Sequence, residues 1–174
     1  EGDGPFPVMV WIHGGGWVIG SARESEATAR NLAALADCVV VSVDYRLAPE
    51  HPAPAAADDC AAVVQWVVQH ADELGADPSS VAVGGDSAGG NLAAVMALRF
   101  GRQLVFQALV YPVTDLSLSH PSIDENAEGY LLTKAGMQWF VDHYLSGSGI
   151  GADHPSVSPL YAPDALVAGA PPAY

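Results

Sequence analysis

A serine inside a glycine-rich turn is the first feature of the sequence that could do chemistry. Ser87 has Gly85 two residues before it and Gly89 two residues after it, which is the G-x-S-x-G spacing. The apolar run 81–83 before the turn predicts a buried strand, and the alanine-rich stretch 91–100 after it predicts a helix. A serine at the apex of such a strand–turn–helix unit projects its hydroxyl away from the sheet. We therefore predict that Ser87 is a catalytic nucleophile.

A turn rich in glycine has two other interpretations. It can be a plain tight turn that contains a serine by chance, or it can cradle a phosphate group. The phosphate loop needs the lysine of G-x-x-x-x-G-K-[ST], and the single lysine of the chain, Lys134, lies far from these glycines. The strand before the turn and the helix after it favour the nucleophile.

A second glycine cluster follows the apolar run 8–12, which predicts a strand buried on both faces. Three consecutive glycines after His13 allow the backbone to turn its N–H groups toward Ser87, where they can stabilise a negative oxygen. We expect His13 to order this loop rather than to act as a general base. The residues predicted to form the oxyanion hole are Gly14, Gly15, Gly16 and Ala88.

The order of the elements predicts the fold class. Besides the two strands above, the sequence predicts strands over 39–43 and 106–111, helices over 26–36, 56–74 and 134–145, a surface turn over 1–5, a turn over 77–80, and the start of a fifth strand at 171–174. Alternating strands and helices are typical of an α/β protein with a mostly parallel open sheet and helices on both faces. The loops 13–16, 44–54 and 84–90 then meet at the carboxyl ends of the strands, where such sheets bind ligands.

Composition narrows the range of partners. Asp and Glu outnumber Lys and Arg by 20 to 6, which gives a formal net charge of −14. Phosphate backbones and anionic membrane surfaces repel such a chain. No apolar run approaches the roughly 18 residues that a membrane span requires. We therefore expect a small-molecule substrate and neither nucleic acid nor a membrane span, and the oligomeric state stays open.

The cysteines and histidines show no metal-binding pattern. Cys38 and Cys60 are the two cysteines, and they lack C-x-x-C spacing. We predict two buried free thiols, which are typical of a reducing compartment, and hence a cytoplasmic location. The sequence contains no H-E-x-x-H motif and no zinc-type Cys/His spacing. No metal and no organic cofactor is therefore predicted.

Five motifs occur in a fixed order along most of the chain. They are HGGGW at 13–17, DYRLAPEHP at 44–52, GDSAGG at 85–90, YPVTD at 111–115 and SPL at 158–160. In these motifs the chain resembles the hormone-sensitive-lipase-like group of α/β-hydrolases, which are microbial carboxylesterases with an H-G-G-G motif. The resemblance implies an α/β-hydrolase fold with Ser87 as nucleophile. It also implies that Gly15, Gly16 and Ala88 supply the oxyanion N–H groups and that Gly14 shapes the loop. Asp86 would stabilise the sharp turn that carries Ser87, which is called the nucleophile elbow.

The resemblance also implies what the chain lacks. In this family the triad acid and histidine follow the nucleophile in later segments that the sequence does not contain, and the N-terminal cap is absent too. His120, His143 and His154 come after Ser87, but no acidic strand end follows that could orient any of them. The chain also does not begin with Met. We therefore expect an internal fragment, and hence a partial α/β-hydrolase fold.

Residues 1–174 are expected to form a single partial domain, with 115–151 as a lid or cap insertion. The predicted helix 134–145 carries Met137, Phe140, Val141 and Tyr144 on one face. Apolar and aromatic residues at that spacing form either an ordinary buried face or a pocket wall.

The predicted function is that of a serine carboxylesterase. It would hydrolyse small uncharged acyl esters through an acyl-enzyme on Ser87, with the triad acid and histidine outside this chain. The fragment alone would be nearly inactive. The alternative is a non-catalytic, receptor-like protein that binds a small molecule on the same scaffold, as the plant gibberellin receptors that resemble this family do. The intact glycine loop and elbow favour the enzyme.

Overall fold

Four parallel strands form the sheet that carries the loops of interest. The computed structural model describes residues 4–174, so most of the turn predicted over 1–5 lies outside the described residues. The strands are β1 Phe6–Ile12, β2 Val39–Val43, β3 Ala76–Asp86 and β4 Phe106–Val110, and their order in the sheet is β2-β1-β3-β4. Every pairing between neighbours is parallel, which confirms the predicted open parallel sheet.

Helices connect the strands on both faces of the sheet. They are α1 Glu26–Ala36, α2 Ala55–His70, α3 Ala88–Phe100, α4 Pro121–Glu125, α5 Lys134–Leu145 and α6 Asp164–Val167. The step from β1 to β2 runs in one direction across the sheet, and the steps to β3 and β4 run in the other. Right-handed crossovers therefore place α1 on one face and α2 and α3 on the opposite face. No helix within residues 4–174 is both long and apolar enough to cross a membrane.

Three local predictions differ from the structure. The turn predicted over 77–80 lies inside β3, which begins at Ala76; Ala76 pairs with Phe6 and Val81 with Val8, so residues 77–80 bulge out of the strand pairing. The helix predicted over 56–74 consists of two parts. Helix α2 ends at His70, and a 3₁₀ turn over Ala71–Leu74 follows it. Strand β2 and Cys38 are half-buried rather than buried, since β2 is the edge strand of the described sheet.

The last residues pair with the other edge of the sheet. Gln107 of β4 and Ala173 form a parallel bridge. Two further backbone bonds extend it, from Gln107 N–H to the Pro172 carbonyl at 3.0 Å and from Leu109 N–H to the Tyr174 carbonyl at 2.8 Å. The strand predicted to start at 171–174 therefore begins alongside β4.

Helix α3 is the central helix of the fold, and small residues let it approach the sheet closely. Residues 88–97 of α3 are all buried. A Cβ on Gly89 would overlap the carbonyl oxygen of Ile12 and would lie 2.5 Å from the carbonyl oxygen of His13. Only glycine therefore lets the first turn of α3 contact the end of β1 at this distance.

We predict that Gly89→Ala destabilises the protein by about 3 kcal/mol, because the added methyl group meets backbone rather than a movable side chain. Thermal and chemical unfolding of the purified variant would measure this loss. Gly136→Ala is the matched control, since Gly136 also lies in the first turn of a helix and its nearest neighbour to a Cβ is the Thr133 hydroxyl at 3.3 Å. Equal stability of the two variants would contradict the close contact.

Candidate active site

Ser87 lies at the sharp turn between β3 and α3. Its backbone has φ 53° and ψ −118°, a conformation that L-residues rarely adopt. The Ser87 N–H donates to the Val110 carbonyl of β4 at 2.9 Å, so the neighbouring strand fixes the turn. A Cβ on Gly85 would overlap the Ile12 carbonyl and one on Gly89 would overlap it too. The glycines on both sides of Ser87 are therefore required by close packing against β1.

The beginning of α3 lies directly after Ser87. The first intrahelical bond runs from Asn91 N–H to the Ser87 carbonyl at 3.0 Å. The Ala88 N–H therefore belongs to the first turn of the helix, where backbone donors have no intrahelical acceptor. Ala88 is fully buried, so this donor and the positive end of the helix dipole lie inside the protein.

The glycine loop after β1 also presents free donors. Gly15 and Gly16 have φ values of +113° and +58°, which glycine adopts without strain. The Gly15 carbonyl accepts hydrogen bonds from Val18 and Ile19, and this closes the turn. Within residues 4–174, the N–H groups of Gly15 and Gly16 have no hydrogen-bond acceptor. Both amides are thus available to a ligand oxygen.

Neighbouring strands support this loop from two sides. The Tyr45 hydroxyl, beyond the end of β2, donates to the His13 carbonyl at 2.9 Å, and the two rings stack at 4.3 Å. Burial raises the pKa of Tyr45, so the hydroxyl keeps its proton. On the other side, Asp86 Oδ1 accepts the Gly14 N–H at 3.2 Å. Only 3% of His13 is exposed, because its ring lies under the loop.

The candidate nucleophile and the glycine loop line one apolar cavity of about 130 Å³. Ser87, Gly15 and Gly16 form its polar side. The rest of the wall consists of Trp17, Val113, Leu132, Met137, Phe140 and Val141. A Cβ on Gly16 would overlap the Phe140 ring, so α5 packs directly on the loop.

A wider cavity of about 770 Å³ adjoins the apolar cavity, and the two share Ser87, Val113, Leu132 and Met137 in their walls. Asp115 and His120 lie in its wall, with His120 Nε2 3.7 Å from Asp115 Oδ2. Burial favours the neutral carboxyl of Asp115, but hydrogen bonds from Ser117 and Ser119 outweigh it and hold its pKa below the ordinary value. The structure thus brings His120 to the cavity of Ser87, which the sequence did not indicate.

The other two histidines after Ser87 are engaged elsewhere. The His143 ring packs at a tilt against the Trp139 ring, with centroids 4.1 Å apart, and His154 Nδ1 bonds the Ser156 hydroxyl at 2.8 Å. Within residues 4–174, no histidine makes a hydrogen bond to the Ser87 hydroxyl.

Asn91 is a buried residue whose contribution to the site was not predicted. Its Nδ2 donates to the carbonyl of Val113 at 2.6 Å and to that of Val157 at 2.8 Å. It thereby ties the cavity segment after β4 to the first turn of α3. The sequence signal that could have indicated this role is a polar asparagine at an otherwise apolar helix start.

Comparison with known proteins identifies the family. A family model for the alpha/beta hydrolase fold matches residues 9–174. Carboxylesterase NlhH of Mycobacterium tuberculosis is 48% identical, over 97% of this chain and 54% of that protein. The ethyl acetate hydrolase of Pseudomonas putida is 40% identical, over 87% of this chain and 49% of that protein. The chain thus spans about half the length of the curated relatives it matches.

Solved structures agree with this comparison. The hyperthermophilic esterase from the archaeon Pyrobaculum calidifontis superposes with a TM-score of 0.90 at 41% identity, covering 99% of this chain and 56% of that chain. Since the family model covers nearly the whole chain, the chain belongs to the α/β-hydrolase fold family and, as its motifs indicated, to the hormone-sensitive-lipase-like group within it.

Proposed function

We propose that the protein is a serine carboxylesterase that hydrolyses small uncharged acyl esters. The observation that carries the proposal is the shared cavity: the strained Ser87 and the free N–H groups of Gly15 and Gly16 line one apolar space. The names of the relatives, which include a carboxylesterase and an ethyl acetate hydrolase, support the same reaction.

In the proposed mechanism, Ser87 Oγ attacks the ester carbonyl and its proton passes to a histidine. The carbonyl oxygen becomes negative and accepts hydrogen bonds from Gly15, Gly16 and Ala88, with Gly14 shaping the loop. Collapse of the intermediate releases the alcohol, which takes up the proton, and leaves an acyl-enzyme. Water then attacks, and the carboxylic acid leaves as Ser87 regains its proton. We propose that the histidine and its acid partner lie outside these 174 residues.

The cavity supports a neutral acyl group as the substrate part bound beside α5. Its wall away from Ser87 is apolar, and a charged group placed there would lose its hydration without a partner. Asp86 and Asp115 line the wider cavity next to Ser87, so an anionic leaving group would meet like charges. A small acyl chain fits the apolar side, and an uncharged alcohol fits the wider side.

We further propose that residues 115–151 form a lid over this site, within one partial domain that spans residues 1–174. Helix α5 is anchored at its end, because Tyr144 is buried and stacks on Trp17 at 4.5 Å. Leu131, just before α5, is fully exposed at the mouth of the wider cavity. The movable part of such a lid would thus precede the anchored helix.

We also propose a cytoplasmic location and a small-molecule partner rather than nucleic acid. Both cysteines are free thiols, which suits a reducing compartment. The net charge of −14 would repel phosphate backbones.

Ser87→Ala is predicted to abolish covalent labelling by a fluorophosphonate and to lower ester hydrolysis at least about 10⁴-fold, because the nucleophile is lost. Intact-mass spectrometry of the full-length protein would measure the labelling. Ser122→Ala is the control, since Ser122 lines the wider cavity but lies in α4. If the folded wild-type protein does not label, Ser87 is not activated and a non-catalytic binding protein becomes the better description.

His120→Gln tests where the general base lies. We expect the variant to retain labelling and hydrolysis within about tenfold of the wild type, because the proposed general base is a histidine outside these 174 residues. Loss of a true general base would cost about 10²–10⁴-fold. Labelling rates and kcat of the full-length protein would measure this. A loss of about 100-fold or more would make His120 and Asp115 the catalytic pair instead.

Phe140→Ala is predicted to change the acyl preference. Removing the ring lengthens the apolar cavity, so the ratio of kcat/KM for an octanoate over a butyrate p-nitrophenyl ester should rise at least about tenfold. His143→Ala removes a half-buried ring of the same helix that does not line the apolar cavity, and it should leave this ratio unchanged. An unchanged ratio in Phe140→Ala would show that the acyl chain binds elsewhere.

A further inference from the structure

The carboxylate of Asp86 connects the elbow to the glycine loop. Asp86 is the last residue of β3 and pairs with Val110 of β4, so the sheet fixes its backbone directly before Ser87. Its Oδ1 accepts the Gly14 N–H at 3.2 Å. Its Oδ2 occupies the space that a Cβ on Gly14 would fill. The side chain thus bridges the two segments that form the polar side of the cavity.

The hydrogen bond from Gly14 to Asp86 makes Gly14 differ from the next two glycines of the loop. The Gly14 amide is occupied by Asp86, whereas the amides of Gly15 and Gly16 have no acceptor within residues 4–174. Without the carboxylate, Gly14 would lose its tether to β3 and would become a third unpaired donor beside the cavity. The loop could then rotate so that a different set of amides faced Ser87.

The charge of Asp86 and its hydrogen bond act in opposite directions on the proposed reaction. Negative charge develops on the ester oxygen beside the loop, and a nearby carboxylate repels it. Across residues 4–174, no Lys or Arg forms an ion pair with Asp86. An asparagine amide oxygen would accept the same N–H without a charge, so the two effects can be separated by substitution.

We propose that Asp86 is a positioning residue that holds Gly14, so that Gly15 and Gly16 present their N–H groups to the oxyanion formed at Ser87. This inference rests on the serine esterase proposed above. Asp86 acts through the loop and does not contact the bound acyl group. Its loss therefore weakens stabilisation of the transition state more than binding of the ester.

The test compares Asp86→Ala and Asp86→Asn in the full-length protein. Asp77→Ala is the matched control, because Asp77 also accepts a backbone N–H, from Ser79 at 2.8 Å, but at the opposite end of β3. The measurements are kcat and KM for p-nitrophenyl butyrate, together with hydrogen–deuterium exchange of the peptide 13–20. Thermal unfolding would establish that each variant is folded.

We expect Asp86→Ala to lower kcat about 100-fold, as loss of one oxyanion donor does, with KM within about threefold of the wild type. Its peptide 13–20 should exchange faster. Asp86→Asn and Asp77→Ala should keep both the wild-type exchange and kcat within about threefold of the wild type.

Two results would overturn the proposal: an unchanged kcat and exchange in Asp86→Ala, or a loss in Asp86→Asn as large as in Asp86→Ala. If Asp86→Ala does not fold, Asp86→Asn remains the test, and a loss of kcat of about 100-fold in that variant would overturn the proposal. If the wild-type protein has no esterase activity, the proposed function fails. Loop exchange in the two Asp86 variants then tests the tether by itself.

Discussion

The contact between the first turn of α3 and the end of β1 is the constraint on which the site depends. Gly89 lies so close to the carbonyl oxygens of Ile12 and His13 that no side chain fits between them. The glycine loop continues directly from His13, and Ser87 comes two residues before Gly89. Backbone packing therefore fixes the spacing between the start of the glycine loop and the serine. A site held in this way needs little reorganisation when charge develops in it.

Hydrogen bonds from the ends of the neighbouring strands complete this arrangement. Parallel strands end at the same edge of a sheet, so the residues after β2 and at the end of β3 both reach the loop after β1. Tyr45 binds the His13 carbonyl and Asp86 binds the Gly14 amide, one from each side. The loop therefore has little freedom at its start, while the amides of Gly15 and Gly16 keep no acceptor within residues 4–174. On the side of the glycine loop, the polar groups near Ser87 are thus these unpaired amides and the carboxylate that tethers Gly14.

The sequence predicted the parts of this site that depend on local pattern. The elbow, the glycine loop and the order of strands and helices follow from glycine spacing and apolar runs, and bounds such as Glu26–Ala36 and Lys134–Leu145 were correct. Contacts between distant segments were not predictable. The bond from Asn91 to the Val157 carbonyl joins residues 66 positions apart, and no pattern along the chain indicates it. The same holds for His120, whose place beside the Ser87 cavity follows from the path of the chain after β4. The segment 77–80 forms a bulge inside β3: Ala76 and Val81 on either side of it pair with β1, its own residues do not, and Asp77 accepts the Ser79 N–H.

Helix α5 couples the size of the cavity to the geometry of the loop. The Phe140 ring closes the apolar space and also packs against Gly16, so one side chain contacts both the proposed acyl side and a proposed oxyanion donor. The helix is fixed at its other end, where Tyr144 stacks on Trp17 and its carbonyl accepts the Ala53 N–H at 2.8 Å. Because Trp17 directly follows Gly16, this anchor also holds the end of the glycine loop. Acyl size and rate are therefore not independent properties of this site. A change at Phe140 on the inner face of α5 therefore reaches the proposed donors through Gly16.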